Sequence, residues 1–467
     1  DSMAQAAAVL PLAHGTSFTV LVPLDPAVVA LTDEAPDVVP PADAVVRGWA
    51  SHRARGARIV VPDADLAETF DAAAVQLMLA AAGARLDEQG TRRAAAVTTA
   101  LDRLGLRDEV DPVVAGLLDG QRQGGQLGGD DPDPAATGAV LVAAGNHWAL
   151  GRDDALVDAL AGPLAAGAHH RPGAGRLVRR PPSLGPFAAA WQLAGAGRVS
   201  AALRSIGQDD AATAVDRSVG DLGETLRERG HELDDAELLE LWWLGVVSAD
   251  EPDVARSLER LRSGAVQRGA VALPAGLSPV PTARLASIDA RTGDPVAHER
   301  LGWLVEAGGP QRSWAGAVHP ATGAGCGGEP WSPESAAAFV ELVLDLLCVV
   351  DADPGDRRHE VTLLPVVPDA WLGAGIEVHD LRTEVGVVSF AVRWHGERPA
   401  LLWEVAPHPG VDGAIAISAP GLDPGWSSTE PKGDALLAAP SVEIADGSSG
   451  PADAVDEGTP PAGPSFS

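Results

Sequence analysis

The sequence has no tyrosine, two cysteines and one lysine, Lys432. Two cysteines cannot form a disulfide framework or a four-thiolate zinc site, so Cys326 and Cys348 are expected to be free, buried thiols in a reducing compartment. No stretch reaches the roughly 18 uninterrupted apolar residues of a membrane-spanning helix. The first ten residues lack the basic start of a signal peptide. We therefore expect a cytoplasmic protein.

Basic residues are also scarce, because 34 lysines and arginines stand against 65 acidic residues and give a formal net charge of −31. Such a surface repels nucleic-acid phosphates and anionic lipid heads. Nucleic acids and membranes are therefore not expected as partners, whereas an uncharged ligand meets no repulsion. No cofactor is expected, because the sequence has no phosphate loop and no Rossmann fingerprint. No metal site is expected, since His169 and His170 are neighbours that point about 100° apart on a helix.

Apolar residues are sufficient for a folded core, because 46% of the 467 residues are hydrophobic. A chain of this length usually holds two or three structural units at roughly 150 residues each. Helical periodicity dominates from about residue 65 to residue 350. Val97, Ala100, Leu101 and Leu104, for example, stand at positions i, i+3, i+4 and i+7, which places one apolar stripe on a helix. The protein is predicted to be mainly α-helical.

Ten to twelve helices are expected, arranged as consecutive antiparallel hairpins. Residues 136–144, 187–196 and 336–350 are apolar on more than one side, and such helices are usually buried on both flanks. An inner ring of these helices inside a more charged outer ring is an (α/α)6 toroid. A superhelical solenoid is the alternative, but the sequence shows no repeat at a fixed spacing. The pattern therefore favours the toroid.

Strand patterns flank the helical region. Residues 17–24 and 57–61 are typical of β-strands, and residues 388–394 and 401–405 alternate apolar and polar side chains around a loop, which predicts a hairpin with one buried face. Residues 419–467 are rich in Pro, Gly, Ser and Asp, as in a disordered acidic tail. The predicted units are an N-terminal β-segment with a linker (1–62), the toroid (63–352), a small antiparallel β-domain (353–418) and the tail (419–467).

Four segments, in their order along the chain, resemble bacterial six-hairpin glycosidases, the clan of glucoamylase-like, glycogen-debranching-like and disaccharide-phosphorylase-like proteins. They are residues 100–105 (ALDRLG) with 121–125 (QRQGG), 145–154 (GNHWALGRDD), 314–320 (WAGAVHP) with 325–329 (GCGGE), and 363–365 (LLP) with 368–372 (PDAWL). The resemblance covers about residues 17–405. It implies an (α/α)6 toroid whose mouth holds an active site for acid/base hydrolysis of α-glucosidic bonds in neutral oligosaccharides.

The sequence departs from the family's pattern at two of three expected acids. The family carries an aspartate in the segment that reads FAAAW at residues 187–191, and this aspartate is missing at Ala189 or its neighbours. Gly316 stands where a glutamate is expected, whereas Glu329 is the counterpart of the third acid. Two interpretations remain open: a glycoside hydrolase, or a non-catalytic sugar-binding or structural protein on the same scaffold.

Glycoside hydrolysis needs two carboxyl groups across the scissile bond, one of them protonated. Glu240, in an otherwise apolar helix, and Glu329, in a glycine-rich loop, are the candidate catalytic pair, and each could instead be a solvated surface acid. Sugar rings stack on aromatic side chains, which otherwise fill space between helices. The candidate substrate-binding residues, for which a structural role is the alternative, are His147, Trp148, Trp191, Trp242, Trp314, His319 and Trp331.

Overall fold

The computed structural model describes residues 40–83, 90–171, 184–352 and 358–440. The strand predicted at residues 17–24 lies outside these ranges. The α-helices are α1 (Ala42–Arg53), α2 (Ala64–Ala82), α3 (Thr91–Arg103), α4 (Arg107–Asp119), α5 (Ala136–Gly151), α6 (Asp154–Ala168), α7 (Pro186–Ser205), α8 (Asp209–Ser218), α9 (Gly220–Arg229), α10 (Asp235–Trp243), α11 (Pro252–Arg260), α12 (Pro279–Arg291), α13 (Val296–Ala307) and α14 (Pro333–Leu347).

Six helices form a closed inner ring. Helices α3, α5, α7, α10, α12 and α14 pack each on the next, and α14 closes the ring against α3. Helices α2, α4, α6, α8 with α9, α11 and α13 alternate with them along the chain. Each of these precedes one ring helix, so the chain forms six helical hairpins. This arrangement confirms the predicted (α/α)6 toroid.

The three helices predicted to be buried on both flanks, α5, α7 and α14, all lie in the inner ring. Helices α5 and α14 are buried along nearly their whole length. Glycine permits the closest approach in the ring, because a Cβ added to Gly138 of α5 would lie 2.5 Å from the backbone of Trp191 in α7. Helix α14 starts as its sequence predicts, with the side chain of Ser332 accepting a 3.2 Å hydrogen bond from the amide of Ser335 and Pro333 in the first turn.

Several predicted boundaries in the helical region are wrong. Val215, Val219, Leu222 and Leu226 stand at positions i, i+4, i+7 and i+11, a spacing that predicts one helix, but Val219 leaves the helical conformation and separates α8 from α9. Residues 348–350 belong to a strand rather than to α14. The predicted N-terminal β-segment contains helix α1, which precedes the confirmed strand β1. Periodicity alone cannot place these ends, because a short apolar run fits a helix or a buried strand equally well.

Three sheets accompany the ring. Their orders are β1-β9-β10-β11-β14, β13-β12-β8-β7, and β2-β3-β4-β5-β6 within the helical region. The strands are β1 (Arg58–Val60), β2 (Val266–Gln267), β3 (Ala270–Leu273), β4 (Gly276–Leu277), β5 (Ala317–Val318), β6 (Gly325–Gly327), β7 (Cys348–Ala352), β8 (Arg358–Leu363), β9 (Ile376–Arg382), β10 (Gly386–His395), β11 (Arg398–Pro407), β12 (Ala414–Ala419), β13 (Asp423–Ser428) and β14 (Lys432–Leu436).

The predicted C-terminal hairpin is β10–β11, in which Phe390 pairs with Trp403 and Val392 pairs with Leu401. These four side chains are buried on one face of the sheet, as their alternation predicts. The C-terminal strands are not all antiparallel, since β12 runs parallel to β8. Strand β1, from the N-terminal flank, pairs with β9 and joins the same sheet.

The predicted disordered tail is wrong for residues 419–440. Strands β13 and β14 lie within this stretch and add an edge strand to each of two sheets. Edge strands form backbone hydrogen bonds on one side only and need few apolar residues, so composition does not reveal them. Two contacts fasten this stretch: the indole of Trp403 donates to the Glu430 carbonyl oxygen at 2.8 Å, and its ring centroid lies 5.0 Å from that of Trp426. Residues 441–467 lie outside the described ranges.

The sheet of β9 and β10 lies at the C-terminal end of α3. Arg382, the last residue of β9, packs beside Gly105, where an added Cβ would lie 3.3 Å from the arginine Nε. The opposite end of the ring carries the N-terminal ends of the ring helices. Within the described ranges, none of the helices has the combined length and apolar character that crossing a membrane requires.

Candidate functional site

Glu240 lies where several ring helices meet. Its carboxylate accepts hydrogen bonds from Arg92 Nη1 at 3.2 Å, Arg284 Nη1 at 3.0 Å and Trp191 Nε1 at 3.0 Å. Arg92 is in the first turn of α3, and Trp191 and Arg284 are in the second turns of α7 and α12. The N-terminal ends of these helices therefore open at one end of the ring, which we call the mouth.

Both oxygens of Glu240 are occupied. Oε1 accepts from Arg92 and Trp191, and Oε2 accepts from Arg284. The Glu240 side chain is 16% exposed, so solvent reaches little of it. Arg92 also bonds to Asp133 at 2.6 Å and lies 5.2 Å over the ring of Phe187. Charge-assisted hydrogen bonds of this kind hold Glu240 as the centre of an ion-pair cluster.

A second carboxyl group lies deeper in the ring. Glu341 of α14 accepts a 3.0 Å hydrogen bond from Trp243 Nε1. Burial raises the pKa of Glu341 to about 7, an effect that the charge of Arg103 opposes and that of Asp345 reinforces. One turn further along α14, Asp345 pairs with Arg103 at 2.9 Å and with Arg291 at 3.7 Å. Acids and arginines thus fill the interior of the ring from its mouth inward.

Glu341 is not among the candidate site residues predicted from the sequence, although the sequence contains a signal for it. Glu341 and Asp345 stand four residues apart in a helix that is otherwise almost wholly apolar. Residues at this spacing share one helix face. Two acids on one face of a buried helix need partners inside the protein, and this is the reasoning that singled out Glu240.

Glu329 lies on the rim of the mouth. Its carboxylate is 3.0 Å from Arg93 Nη1, and its side chain is 51% exposed. Arg92 and Arg93 are consecutive in α3, so Glu240 and Glu329 border the start of the same helix. Neighbouring helix positions diverge by about 100°, so the two arginines hold their partners in different directions. The Glu240 and Glu329 carboxylates are therefore bound separately.

A groove of about 570 Å³ runs beside Glu329 and is also lined by Pro310, Ser313 and Cys326. Cys326 is exposed, so the prediction that both thiols are buried holds for Cys348 only. Trp331, two residues beyond Glu329, is 37% exposed, and its indole Nε1 donates to Gln76 Oε1 at 3.1 Å. Pro330 lines this groove, and Trp331 follows Pro330 in the chain. We call the groove together with the exposed Trp331 side chain the rim groove; it offers a carboxylate, exposed glycine backbone and an aromatic ring to a ligand.

Trp191 lies in the interior of the ring, whereas Trp242 packs on an apolar cluster shared by α10, α11 and α12. Trp191 contacts Glu240 directly and lies 5.9 Å from Trp243, measured between ring centroids. Trp242 is half-buried, with the guanidinium of Arg291 5.5 Å from its ring centroid. The structure therefore joins Trp191 to Glu240 and places Trp242 against a different set of residues.

His147 and Trp148 lie away from the mouth. Arg198 is seven residues beyond Trp191 in α7, about 10.5 Å along the helix axis, and its Nε donates to Asn146 Oδ1 at 2.6 Å. The ring nitrogens of His147 lie 2.9 Å from Asp102 and 3.1 Å from Asp111, and the side chain is 1% exposed. Trp148 Nε1 donates to Asp154 at 3.0 Å. Both residues occupy structural positions near the C-terminal end of α5.

Trp314 and His319 also have structural contacts. Trp314 is fully buried, donates to the Leu304 carbonyl oxygen at 2.8 Å and packs against Phe339, with ring centroids 4.8 Å apart. It has no exposed ring face on which a sugar could stack. His319 is exposed, but its Nδ1 accepts hydrogen bonds from the amides of Ala321 and Thr322 and closes a tight turn.

Ala189 and Gly316, where the resemblance implies acids, lie in closely packed surroundings. Ala189 is fully buried inside α7. Gly316 lies against Gly328, and an added Cβ would stand 3.1 Å from the Gly328 Cα. A glutamate at residue 316 would therefore require the loop to shift. Among the described residues, no group of three or more His, Cys, Asp or Glu side chains is arranged to hold a metal ion.

A closed ring of six helical hairpins with β-sheets at its end defines the six-hairpin glycosidase fold. The structure is similar to a GH78 family rhamnosidase of Bacillus sp. GL1, with 14% identity, a TM-score of 0.53, and coverage of 78% of this chain and 43% of that one. It is also similar to an α-L-rhamnosidase from Dictyoglumus thermophilum, with 11% identity, a TM-score of 0.51, and coverage of 78% and 45%.

At these identities the likeness shows the fold alone. The chain spans less than half the length of either rhamnosidase. No protein-family model matches the sequence, and no curated protein matches it. The fold is therefore the one that these two rhamnosidases have, whereas substrate and activity have to be argued from this chain's own residues.

Proposed function

We propose that this protein binds a neutral oligosaccharide in the rim groove, on a glycosidase scaffold whose Glu240 does not take part in hydrolysis. The observation that carries the proposal is the occupation of both Glu240 oxygens by Arg92, Arg284 and Trp191. In glycoside hydrolysis one carboxyl group gives a proton and the other receives one or attacks the sugar. A carboxylate that accepts hydrogen bonds from three donors can neither transfer a proton nor attack a sugar unless these hydrogen bonds break.

The rim groove supports sugar binding by its chemistry. Trp331 presents part of an indole face, and the C–H faces of sugar rings stack on such surfaces. The half-exposed carboxylate of Glu329 can accept hydrogen bonds from hydroxyl groups. The net charge of −31 favours an uncharged ligand over an anionic one at this site. The unpaired thiols of Cys326 and Cys348 support the proposed cytoplasmic location.

A glycan panel that records binding and product release in parallel tests this proposal. We expect calorimetric binding of an α-glucan oligosaccharide without release of sugar, weakened at least tenfold in Trp331→Ala, a loss of about 1.4 kcal/mol. The control is Leu402→Ala, which removes an exposed apolar side chain from β11. Unchanged affinity in Trp331→Ala would exclude the rim groove as the binding site.

Hydrolysis of α-glucosidic bonds by Glu240 and Glu329 is the second candidate function. It is favoured by the consecutive arginines that place both acids at the start of α3, and by Glu341, whose pKa of about 7 keeps a carboxyl group protonated near neutrality. Glucose release from maltooligosaccharides that disappears in Glu240→Gln or Glu329→Gln would establish this function and replace the first.

A further inference from the structure

Three arginines meet at the end of the ring opposite the mouth. They are Arg107 at the start of α4, Arg152 directly after α5, and Arg382 at the end of β9. The Arg107 guanidinium lies on the backbone of Gly151, where an added Cβ would overlap it. Arg382 packs beside Gly105, two residues before Arg107. The junction of ring and sheet thus collects three cations from three elements.

Two of these cations have unused donors. Arg382 is half-buried and makes no hydrogen bond or ion pair with any residue that the structure describes. The Nε of Arg152 is buried without an acceptor in the same ranges, while its Nη2 donates to the Glu384 carbonyl oxygen at 3.1 Å. Arg107 is better paired, since it donates to the His147 carbonyl oxygen at 2.8 Å. In a chain with 65 acids and 34 bases, such unused arginine donors call for an acceptor.

The charges of the three arginines act on one nearby side chain, His408. The buried ring of His408 bonds to the Thr383 carbonyl oxygen at 2.9 Å. Burial lowers the pKa of His408, and the charges of Arg152, Arg382 and Arg107 lower it further. All three guanidinium groups therefore lie within electrostatic reach of the same imidazole.

Nearby carboxylates compensate these cations only in part. Asp102 lies 3.6 Å from Arg107 and, like Asp380, also acts on Arg382, but Asp102 already bonds to His147. Asp154 and the exposed Glu384 act on Arg152. Burial still lowers the pKa of both Arg152 and Arg382 despite these acids.

The backbone of Arg152 has an energetically unfavourable conformation for a residue other than glycine. Its φ of 52° and ψ of 44° are left-handed, a conformation that favours glycine at the end of a helix. The guanidinium lies 4.4 Å over the ring of Trp148, which fixes its direction. Arg152 is therefore held in place before any ligand arrives.

We propose that the junction of Arg107, Arg152 and Arg382 binds a phosphate-type oxyanion, either inorganic phosphate or the phosphate group of a small monoester. Guanidinium groups pair with phosphate oxygens through parallel charge-assisted hydrogen bonds, and three of them from different directions suit a tetrahedral anion. The ligand would complete the donors of Arg382 and Arg152 and tie the sheet to the ring. This site is separate from the rim groove.

Calorimetric titration with inorganic phosphate at constant ionic strength tests the site. We expect saturable binding that weakens about tenfold or more in Arg382→Gln and in Arg152→Gln. Arg382→Gln breaks no hydrogen bond or ion pair among the residues that the structure describes, so it is expected to fold and to unfold at about the same temperature. Glu384→Gln removes a nearby negative charge and is expected to tighten binding several-fold. Arg229→Gln, an exposed arginine of α9, is the charge-matched control and leaves affinity unchanged.

Two further measurements identify the source of the phosphate and show that the arginine site is independent of the rim groove. A sugar phosphate that binds at least tenfold more tightly than inorganic phosphate would assign the monoester, and equal affinities would assign the free ion. Trp331→Ala is expected to leave phosphate binding unchanged, so failure of the sugar-binding proposal does not affect this one. Absence of saturable binding to either ligand, or equal affinity in Arg382→Gln and wild type, would overturn the proposal.

Discussion

The indole Nε1 of Trp243 donates a 3.0 Å hydrogen bond to Oε2 of Glu341 and thereby joins α10 to α14. These helices are not neighbours in the ring, because α12 lies between them. The guanidinium of Arg284 lies 4.9 Å over the same indole and also binds Glu240. One indole thus connects the carboxylate at the mouth to the buried carboxyl group below it.

The first prediction concerns the pH dependence of stability. Glu341 has a folded pKa of about 7 against an ordinary value of 4.5, so the folded protein binds more protons than the unfolded chain between these values. The free energy of unfolding should therefore fall as the pH rises from about 4.5 to 7, by at most about 3 kcal/mol. Glu341→Gln should remove this contribution. Urea unfolding at several pH values measures it, and parallel pH profiles for variant and wild type would contradict it.

The second prediction concerns the ion-pair cluster at the mouth. Glu240→Ala leaves the cations of Arg92 and Arg284 without their shared partner, and removing one member of a buried pair costs about 3–5 kcal/mol. Because Arg92 is partly exposed, we expect a loss of about 2 kcal/mol in the free energy of unfolding. Glu259→Ala, at an exposed position of α11, is the control. A cluster of no structural importance would give equal losses in both variants.

The third prediction separates two tryptophans that the sequence treats alike. Trp314 is fully buried, so Trp314→Ala should reduce the free energy of unfolding by about 3–5 kcal/mol. Trp331 is exposed on the rim groove, so Trp331→Ala should change stability by about 1 kcal/mol or less while weakening sugar binding. Denaturant unfolding and glycan titration of both variants check this. Equal losses of stability would show that Trp331 is also a core residue.

The fourth prediction concerns the thiols. Cys326 is exposed, whereas burial raises the pKa of the Cys348 thiol to about 12. Because the thiolate is the reactive form, a thiol reagent at pH 8 should label one cysteine per folded chain and two after denaturation. Cys326→Ser should abolish the fast reaction. Rapid labelling that persists in Cys326→Ser would contradict the burial of Cys348.

The predictive power of the sequence differed between the scaffold and the site. Periodicity located ring helices such as α3, α5, α7 and α14, because its signal lies within single turns, as at Val97, Ala100 and Leu101. Glu240 stood out as an acid in an apolar helix, but its partners Arg92 and Arg284 are 148 and 44 residues away along the chain. No local sequence pattern predicts contacts between residues so far apart along the chain.

The sequence also failed to predict strands β13 and β14. Their residues are mostly small and polar, and composition therefore indicated disorder. They are strands because β12 and β11 offer unpaired backbone groups to them, and Trp403 packs against Trp426. Pairing of this type depends on the position of the neighbouring strand, which only the tertiary structure gives.

The scarcity of basic residues and the helical periodicity came from the sequence by itself, and they determined an acidic, mainly helical toroid; that its ligand is uncharged stays a prediction. Only the tertiary structure decided which acids and aromatic rings meet. In the tertiary structure arginines bind both oxygens of Glu240, Trp314 is buried, Trp331 is exposed, and Arg382 makes no hydrogen bond or ion pair with another described residue. The physical reason is that burial and charge pairing are set by neighbours from distant parts of the chain, whereas helix formation is set by residues three and four positions apart.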